Sequence, residues 1–354
     1  MTNFLLTGGG TGGHVNPLLA LAQQLRTEGH SVLALGTREG LEARLVPERG
    51  FELLTIARLP FPRRLSLCAM AFPFRFLKAT FQVLGFIRKH KIDCVVGFGG
   101  YASAPAYLAA ALARKPLVIH EANSLAGIAN KIGARLTKYV ALAFPNSDLN
   151  GAITGMPIRQ EIVDSVAGYD KGQARIELGL DPVLPTLLVT GGSLGAKSLN
   201  DNVIASLPKL KAAGIQVLHI VGDSAGLGDV AEPGYTRIAY CSRMDVAIAA
   251  SDFAISRAGA STVAEFSAVG LPALYVPYPA GNGEQRLNAA TVCEAGGGML
   301  VLDRDFSSAV IEGEVIPTIS HAASLQKMSA AAKSQGIPDS TLRLRDLVLS
   351  AVNT

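Results

Sequence analysis

Asn3-Phe4-Leu5-Leu6-Thr7, followed at once by Gly8-Gly9-Gly10-Thr11-Gly12-Gly13-His14, is the stretch that decides the fold. A short strand-forming run meets a glycine cluster, and a segment from about Pro17 to Thr27 then places Leu18, Leu21, Ala22 and Leu25 on one helical face. Strand, tight turn and helix make the first unit of a parallel α/β sheet. Further strands are expected at Val32–Leu35, Asp93–Phe98, Leu117–His120 and Tyr139–Ala143, separated by helix-length segments. The opening pattern recurs at Thr186–Thr190, followed by Gly191, Gly192, Ser193 and Gly195 and a helix through Leu199 and Val203. Strands at Gln216–Val221, Phe253–Ser256 and Ala273–Val276 follow. Two similar domains are therefore expected, residues 1–156 and 157–340, parted near Gly155-Met156-Pro157, where proline biases its predecessor away from helix. A last helix in 341–354 carries Leu344, Leu347, Val348 and Ala351 at helical spacing and is able to pack back on the first domain.

Composition agrees with this. At 354 residues the chain exceeds the roughly 250–300 at which one core stops growing. Hydrophobic content of 49%, charged content of 17%, mean hydropathy of +0.31 and 37 glycines describe a packed α/β chain with many turns. The net charge of +4 is spread along the chain and forms no compact Lys/Arg stripe, so no nucleic-acid partner is expected. Cys68, Cys94, Cys241 and Cys293 stand far apart with no CxxC pair, which reads as reduced thiols and no metal site. Met1–Thr7 leads straight into a strand without signal-peptide features, so the chain is expected to stay in the cytoplasm. The apolar run Leu65–Phe74, closed by Arg64 and Arg75, is half of the roughly 20 residues that span a bilayer.

The first glycine turn sits where backbone N–H groups and a helix dipole favour an anion, or it only lets helix and strand approach closely. It is not the dinucleotide fingerprint: Gly8, Gly10 and Gly13 match the spacing, but position 36 is Gly and the strand ends at Thr37, with no acid there. His14 follows the glycines, where an imidazole can take a proton from an acceptor hydroxyl. His120-Glu121-Ala122-Asn123 lies at the carboxyl end of a strand, the edge where open parallel sheets place ligands, or else it holds a loop. Gly191 to Ala196 repeats the phosphate-turn logic, with Ser193 at the expected helix start. Ser256-Arg257 leads through Ala260, Ser261, Thr262, Val263 and Ala264, whose small size lets backbone amides approach a ligand. Glu265, one turn inside that helix, can accept two hydrogen bonds from ribose hydroxyls, and Gln285 offers an amide to sugar hydroxyls. Between Phe61 and Lys91, Phe72, Phe74, Phe76, Phe81 and Phe86 interleave with Arg75, Lys78, Arg88 and Lys89. Such a segment suits an anionic membrane surface, or its aromatics pack inward while its cations stay solvated.

Seven motifs in order resemble one family: Gly9 to His14, Gly99-Gly100-Tyr101, His120-Glu121 with Asn123, Gly155 with Pro157 and Arg159, Gly191 to Ala196, Ser256-Arg257 through Glu265, and Gln285 with Asn288-Ala289. The family is MurG, the UDP-N-acetylglucosamine transferases that make lipid II in bacterial peptidoglycan synthesis. The resemblance covers nearly the whole chain. It implies a GT-B fold of two Rossmann-like domains with a cleft between them. It also implies transfer of N-acetylglucosamine, with inversion, to the 4-hydroxyl of N-acetylmuramic acid in undecaprenyl-linked lipid I, with no metal or cofactor. His14 is the favoured base and Glu121 the alternative. Thr11, Gly12, Gly13 and Asn123 would line the donor's sugar-diphosphate side, with Arg159 and Ser193 at the phosphates. Ala260 to Ala264 would supply backbone contacts, Glu265 would hold the ribose, Gln285 the sugar, and the main chain of Cys241 the uracil. Phe72, Phe74, Arg75, Phe76 and Lys78 would meet the anionic lipid surface, placing the chain peripherally on the cytoplasmic face of the inner membrane. Ser242 and Arg243 depart from the family's acidic pair, Ala122 from its glutamine, Met156 from its asparagine, and Glu284 from its Gln or His, so Glu284 bears on donor preference. Other readings are another GT-B transferase, a sugar-nucleotide epimerase, or a UDP-sugar-binding protein without catalysis.

Overall fold

A computed structural model of the chain describes residues 1–61, 67–192 and 195–353, apart from the side chains of 67–69, 160, 165–167 and 224. Two compact units emerge, one of residues 1–159 with 339–354 and one of residues 160–338.

Unit 1 holds strands β1 (Asn3–Thr7), β2 (Ser31–Gly36), β3 (Glu52–Thr55), β4 (Cys94–Gly97), β5 (Leu117–Glu121), β6 (Tyr139–Leu142) and β7 (Ala152–Ile153). They form one parallel sheet in the order β3-β2-β1-β4-β5-β6-β7. Its helices include α1 (Gly12–Thr27), α2 (Glu42–Glu48), α3 (Leu67–Lys89), α4 (Ser103–Leu112) and α5 (Ile128–Gly133). The two-residue period of β1 divides the core. Phe4 and Leu6 pack with Leu18, Leu21 and Leu25 of α1, while Leu5 packs on the other face with Val83, Ile87 and Ala106 of α3 and α4. The C-terminal helix Ser340–Val352 joins the first of these clusters through Leu344, Val348 and Ala351. Burying side chains of that size contributes about 1.5–3 kcal/mol each for the Leu and the Val. The sequence places the first boundary at 156/157, whereas the units divide at 159/160. Ser340 Oγ donates to the Met156 carbonyl at 2.7 Å and Thr341 Oγ1 to that of Ile158 at 3.2 Å, which ties this segment to unit 1.

Unit 2 repeats the plan with β8 (Thr186–Thr190), β9 (Gln216–Ile220), β10 (Val230–Glu232), β11 (Tyr235–Ile238), β12 (Phe253–Ser256), β13 (Ala273–Tyr275) and β14 (Gly298–Leu300). The order is β10-β11-β9-β8-β12-β13-β14, with β10 alone antiparallel. In each sheet the winding reverses at one place, between β1 and β4 in unit 1 and between β8 and β12 in unit 2. Crevices at the carboxyl ends of such strands are where doubly wound sheets bind ligands. The glycine turns occupy both of these points.

Strand centres follow the sequence reading, and two helix starts do not. Proline favours the first helical position, which sets the expected start at Pro17, yet α1 begins at Gly12 with Thr11 as its extended cap. His14 therefore lies in the first turn of a helix and not in a loop. In unit 2 the helix begins at Lys197, after Gly192 and Gly195 adopt φ of 83° and 75°. Strands β3, β7, β10, β11 and β14 escaped the sequence reading because they are short and lie toward the sheet edges, where pairing partners and not composition define them.

Candidate active site

In unit 1 the carboxyl ends of β1 and β4 bring two glycine turns together. Gly99 and Gly100 have φ of 90° and 91°, and a Cβ on Gly100 would lie 2.5 Å from the Gly9 carbonyl oxygen, so only glycine permits this approach. His14 stands beside them. Its Nδ1 lies 3.0 Å from the Gly9 carbonyl oxygen and 3.4 Å from Thr11 Oγ1. A carbonyl only accepts, so Nδ1 carries the proton and Nε2 is left with its lone pair. Nε2 faces Gly99 and has no hydrogen-bond partner among the described residues.

An acid that the sequence reading did not find lies beneath the first turn. Glu42, the first residue of α2, is buried, and its carboxylate accepts from the Gly10 N–H at 2.8 Å, the Thr37 N–H at 2.9 Å and the Thr37 hydroxyl at 2.8 Å. Burial by itself raises its proton affinity, but these hydrogen bonds outweigh it and hold the carboxyl below the ordinary carboxylate range. One amide of the first turn is thus already engaged by an anion, which makes this turn a poorer phosphate cradle than its glycines suggest. The amides of Gly12 and Gly13 are still free among the described residues, as the first N–H groups of a helix are.

Glu121 is also buried, and it is surrounded by donors. It accepts from the Asn123 N–H at 2.9 Å, the Gly127 N–H at 3.1 Å and Asn130 Nδ2 at 2.9 Å. Burial raises its carboxyl above the usual range, against these hydrogen bonds and the nearby His14. Its geometry is that of an anchor shaping the loop that presents half-buried Asn123. The anchoring continues inward: Tyr107 Oη donates to Asn130 Oδ1 at 2.7 Å and accepts from the Gly99 N–H at 3.3 Å. Ser103 Oγ donates to the Gly99 carbonyl at 2.7 Å. His120, fully buried, is lowered to about 4 by burial, so it is neutral, and its Nε2 donates to the Gly155 carbonyl at 3.1 Å. It holds the turn leading to half-buried Arg159. Ser103, Tyr107 and Asn130 gave no motif signal, being single polar residues in helices.

In unit 2, Gly259 caps the helix Ala260–Val269 from an extended conformation, leaving the first amides directed outward past β12. Ala260 and Val263 are buried and Ser261, Thr262 and Ala264 half-buried. Ser261 Oγ is buried without a hydrogen-bond partner among the described residues. Glu265 is buried one turn deeper. Arg257 is fixed below this turn by Asp303 and by Ser198 Oγ at 3.1 Å. Gln285 sits in the helix Glu284–Asn288 and its Oε1 accepts the Tyr278 N–H at 3.0 Å, which leaves its amide NH2 to act as donor. Glu284 Oε2 is buried beside it without a partner among the described residues. Cys241 is buried after exposed Tyr240, and Ser193 lies outside the described residues. Arg243 binds Asp245 and Tyr169 and so ties unit 2 together internally. A hollow of about 350 Å³ lined by Ile248, Asp252, Leu271, Pro272 and Leu325 lies at the opposite, amino end of this sheet, away from these groups.

The basic–aromatic segment resolves into two faces of α3. Phe72 and Phe76 are half-buried, with Phe72 packed on the core and ring centroids 6.0 Å apart, so they are not the exposed aromatics the sequence suggested. Met70, Phe74, Leu77 and Phe81, at helical spacing, are 73%, 77%, 47% and 62% exposed and form one apolar stripe, with Arg75 and Lys78 exposed beside it. Among the described residues no helix is long and apolar enough to cross a membrane. Burial raises the thiols of Cys94 and Cys293 to about 12, and no group of three or more potential metal ligands forms among the described residues.

Residues 4–142 match the glycosyltransferase family 28 N-terminal domain and residues 186–344 the family's C-terminal domain. A relative from Clavibacter sepedonicus is 51% identical, with 99% of this chain and 97% of that protein covered. One from Leifsonia xyli is 50% identical, with 100% and 99% covered. Both are UDP-N-acetylglucosamine–N-acetylmuramyl-(pentapeptide) pyrophosphoryl-undecaprenol N-acetylglucosamine transferases. The crystal structure of Acinetobacter baumannii MurG superimposes with a TM-score of 0.80 at 28% identity, covering 99% of this chain and 100% of that one. Two Rossmann-like units with glycine turns at both switch points, matched along their length by these proteins, make this chain a member of glycosyltransferase family 28 with the GT-B fold.

Proposed function

We infer that the chain transfers N-acetylglucosamine from UDP-N-acetylglucosamine to the 4-hydroxyl of N-acetylmuramic acid in undecaprenyl-linked lipid I, giving lipid II. Identity of about half over the whole chain to transferases of that name carries this conclusion. In this reading His14 Nε2 takes the proton of the acceptor hydroxyl as its oxygen attacks the anomeric carbon. The bond from that carbon to the UDP oxygen breaks in the same displacement, and the configuration inverts. The lone pair exposed on Nε2 favours His14 for this task over Glu121, whose carboxylate is already bound by three donors.

Charge on the departing diphosphate needs stabilisation. Arg159, Ser193 and the amides of 260–264 are our candidates, with Ser261 Oγ as an added donor. Glu265 would accept from the ribose hydroxyls, the Gln285 amide would donate to the sugar, and the Cys241 main chain would meet the uracil. Thr11, Gly12, Gly13 and Asn123 would face the transferred sugar. The exposed stripe of α3, with Arg75 and Lys78, suits peripheral attachment to an anionic membrane surface such as the cytoplasmic leaflet that carries the lipid acceptor.

Radiolabelled UDP-N-acetylglucosamine with a lipid I analogue tests the reading on the wild type, His14→Ala, Glu121→Ala and Arg159→Ala. Labelled lipid II should form with the wild type, and His14→Ala should lower turnover by about 10²–10⁴-fold, the range for a lost general base. Arg159→Ala should reduce turnover with the fold intact. Failure of the wild type to label the acceptor would refute the activity, and undiminished turnover in His14→Ala would remove it as the base.

A further inference from the structure

We propose that Glu42 is a positioning residue for His14, acting through the single peptide unit that joins Gly9 to Gly10. The Gly10 N–H of that unit donates to Glu42 Oε2 at 2.8 Å, and its Gly9 carbonyl accepts from His14 Nδ1 at 3.0 Å. Carboxylate, amide and imidazole thus stand in series. Hydrogen bonds in a chain polarise one another, so a carboxylate drawing on the N–H makes the carbonyl a stronger acceptor for Nδ1–H. The effect resembles that of a carboxylate bonded directly to an imidazole: it fixes the tautomer, turns the ring, and favours the imidazolium that forms when Nε2 receives a proton.

Three features show that this arrangement is built in. A Cβ on Gly9, Gly36 or Gly40 would collide with the Glu42 side chain, so three glycines line its pocket. Gly100 closes over the Gly9 peptide from the other side, where a Cβ would meet both the Gly9 oxygen and nitrogen. Thr37 occupies the second carboxylate oxygen with its N–H and its hydroxyl, which aims the first at Gly10. No ligand role is left for the carboxylate. The other titratable groups facing His14 are His120, buried and neutral, and Glu121, both from β5. Glu42 is the one whose hydrogen bonds lead to the Nδ1 edge.

The inference rests on His14 as the base, and its test separates the two. ¹⁵N-histidine spectra of the full chain, with the His14 signal assigned by difference from His14→Ala, should show an Nδ1–H tautomer in the wild type. Glu42→Gln, which cannot accept on both oxygens, should raise the Nε2–H share. It should also lower kcat about 10- to 100-fold with little change in KM, the range seen when a carboxylate orienting a metal-bound imidazole is lost. In a His14→Ala background Glu42→Gln should cost nothing further. Gly40→Ala, which displaces the carboxylate without removing it, should reproduce the kinetic loss and serves if Glu42→Gln fails to fold. An equal loss from Glu42→Gln with and without His14 would overturn the proposal while leaving the base assignment standing, whereas an Nε2–H tautomer in the wild type would overturn both. Full activity in His14→Ala would sink the base assignment, with the wild-type spectrum still deciding whether Glu42 sets the ring.

Discussion

Tyr107→Phe removes one oxygen from the centre of unit 1, and its cost can be worked out from the structure. The ring is fully buried between Gly97 and Gly133, where a Cβ at either position would strike it, so phenylalanine fits the same space without moving. What is lost is the bond to Asn130 Oδ1 at 2.7 Å and that from the Gly99 N–H at 3.3 Å. Both partners stay buried, and the tight enclosure leaves no room for a replacing water. An unsatisfied buried polar group costs about 1–3 kcal/mol, so with the longer Gly99 contact taken at the low end, about 1 kcal/mol, the pair should cost about 2–4 kcal/mol. For a unit of this size that is a fall of roughly 4–16 °C in its melting temperature. The chain has no tryptophan, so scanning calorimetry is the suitable measurement. The unit 1 transition should move while that of unit 2 stays. Turnover should fall as well, because Asn130 no longer steadies Glu121 and the Asn123 loop. A change below about 0.5 kcal/mol would mean that the Tyr107 network does not hold this site together.

Two further expectations concern pH and membranes. The buried His120 has a folded value of about 4 against about 6.5 unfolded, so the unfolded chain takes the proton first and stability falls as pH drops from about 6.5 to about 4. The loss should reach about 3 kcal/mol, and His120→Gln should flatten it in calorimetric or urea titrations at pH 7 and pH 5; His219, also about 4 by burial, gives unit 2 the same trend. On α3, changing Phe74 and Phe81 together to Ser should weaken co-sedimentation with anionic vesicles by about tenfold or more, since each exposed ring offers about 1.5–3 kcal/mol on burial. Changing half-buried Phe76 instead should act through stability, and unaltered vesicle binding by the double variant would refute the surface assignment.

The sequence by itself determined the two α/β units, the central strands, the glycine turns and the family. These depend on local pattern: runs of β-branched and aliphatic residues, glycine where backbone must pass close, and polar residues gathered at strand ends. Tertiary structure decided which groups meet. Glu42 is far from the glycines in sequence, in a helix of its own, and a search for an acid at the end of β2 passes over it because α2 brings the carboxylate back under the turn. Glu121 reads in sequence as either a second base or a loop-holding group, and the donors converging on it from Asn123, Gly127 and Asn130 could not be foreseen there. The aromatics of the basic segment could not be sorted by composition, since helical phase against a core sends Phe72 inward and Phe74 out. Local periodicity is written in neighbouring residues, whereas the hydrogen bonds that tune His14 join residues that the sheet brings together from separate elements, and no short window of sequence records them.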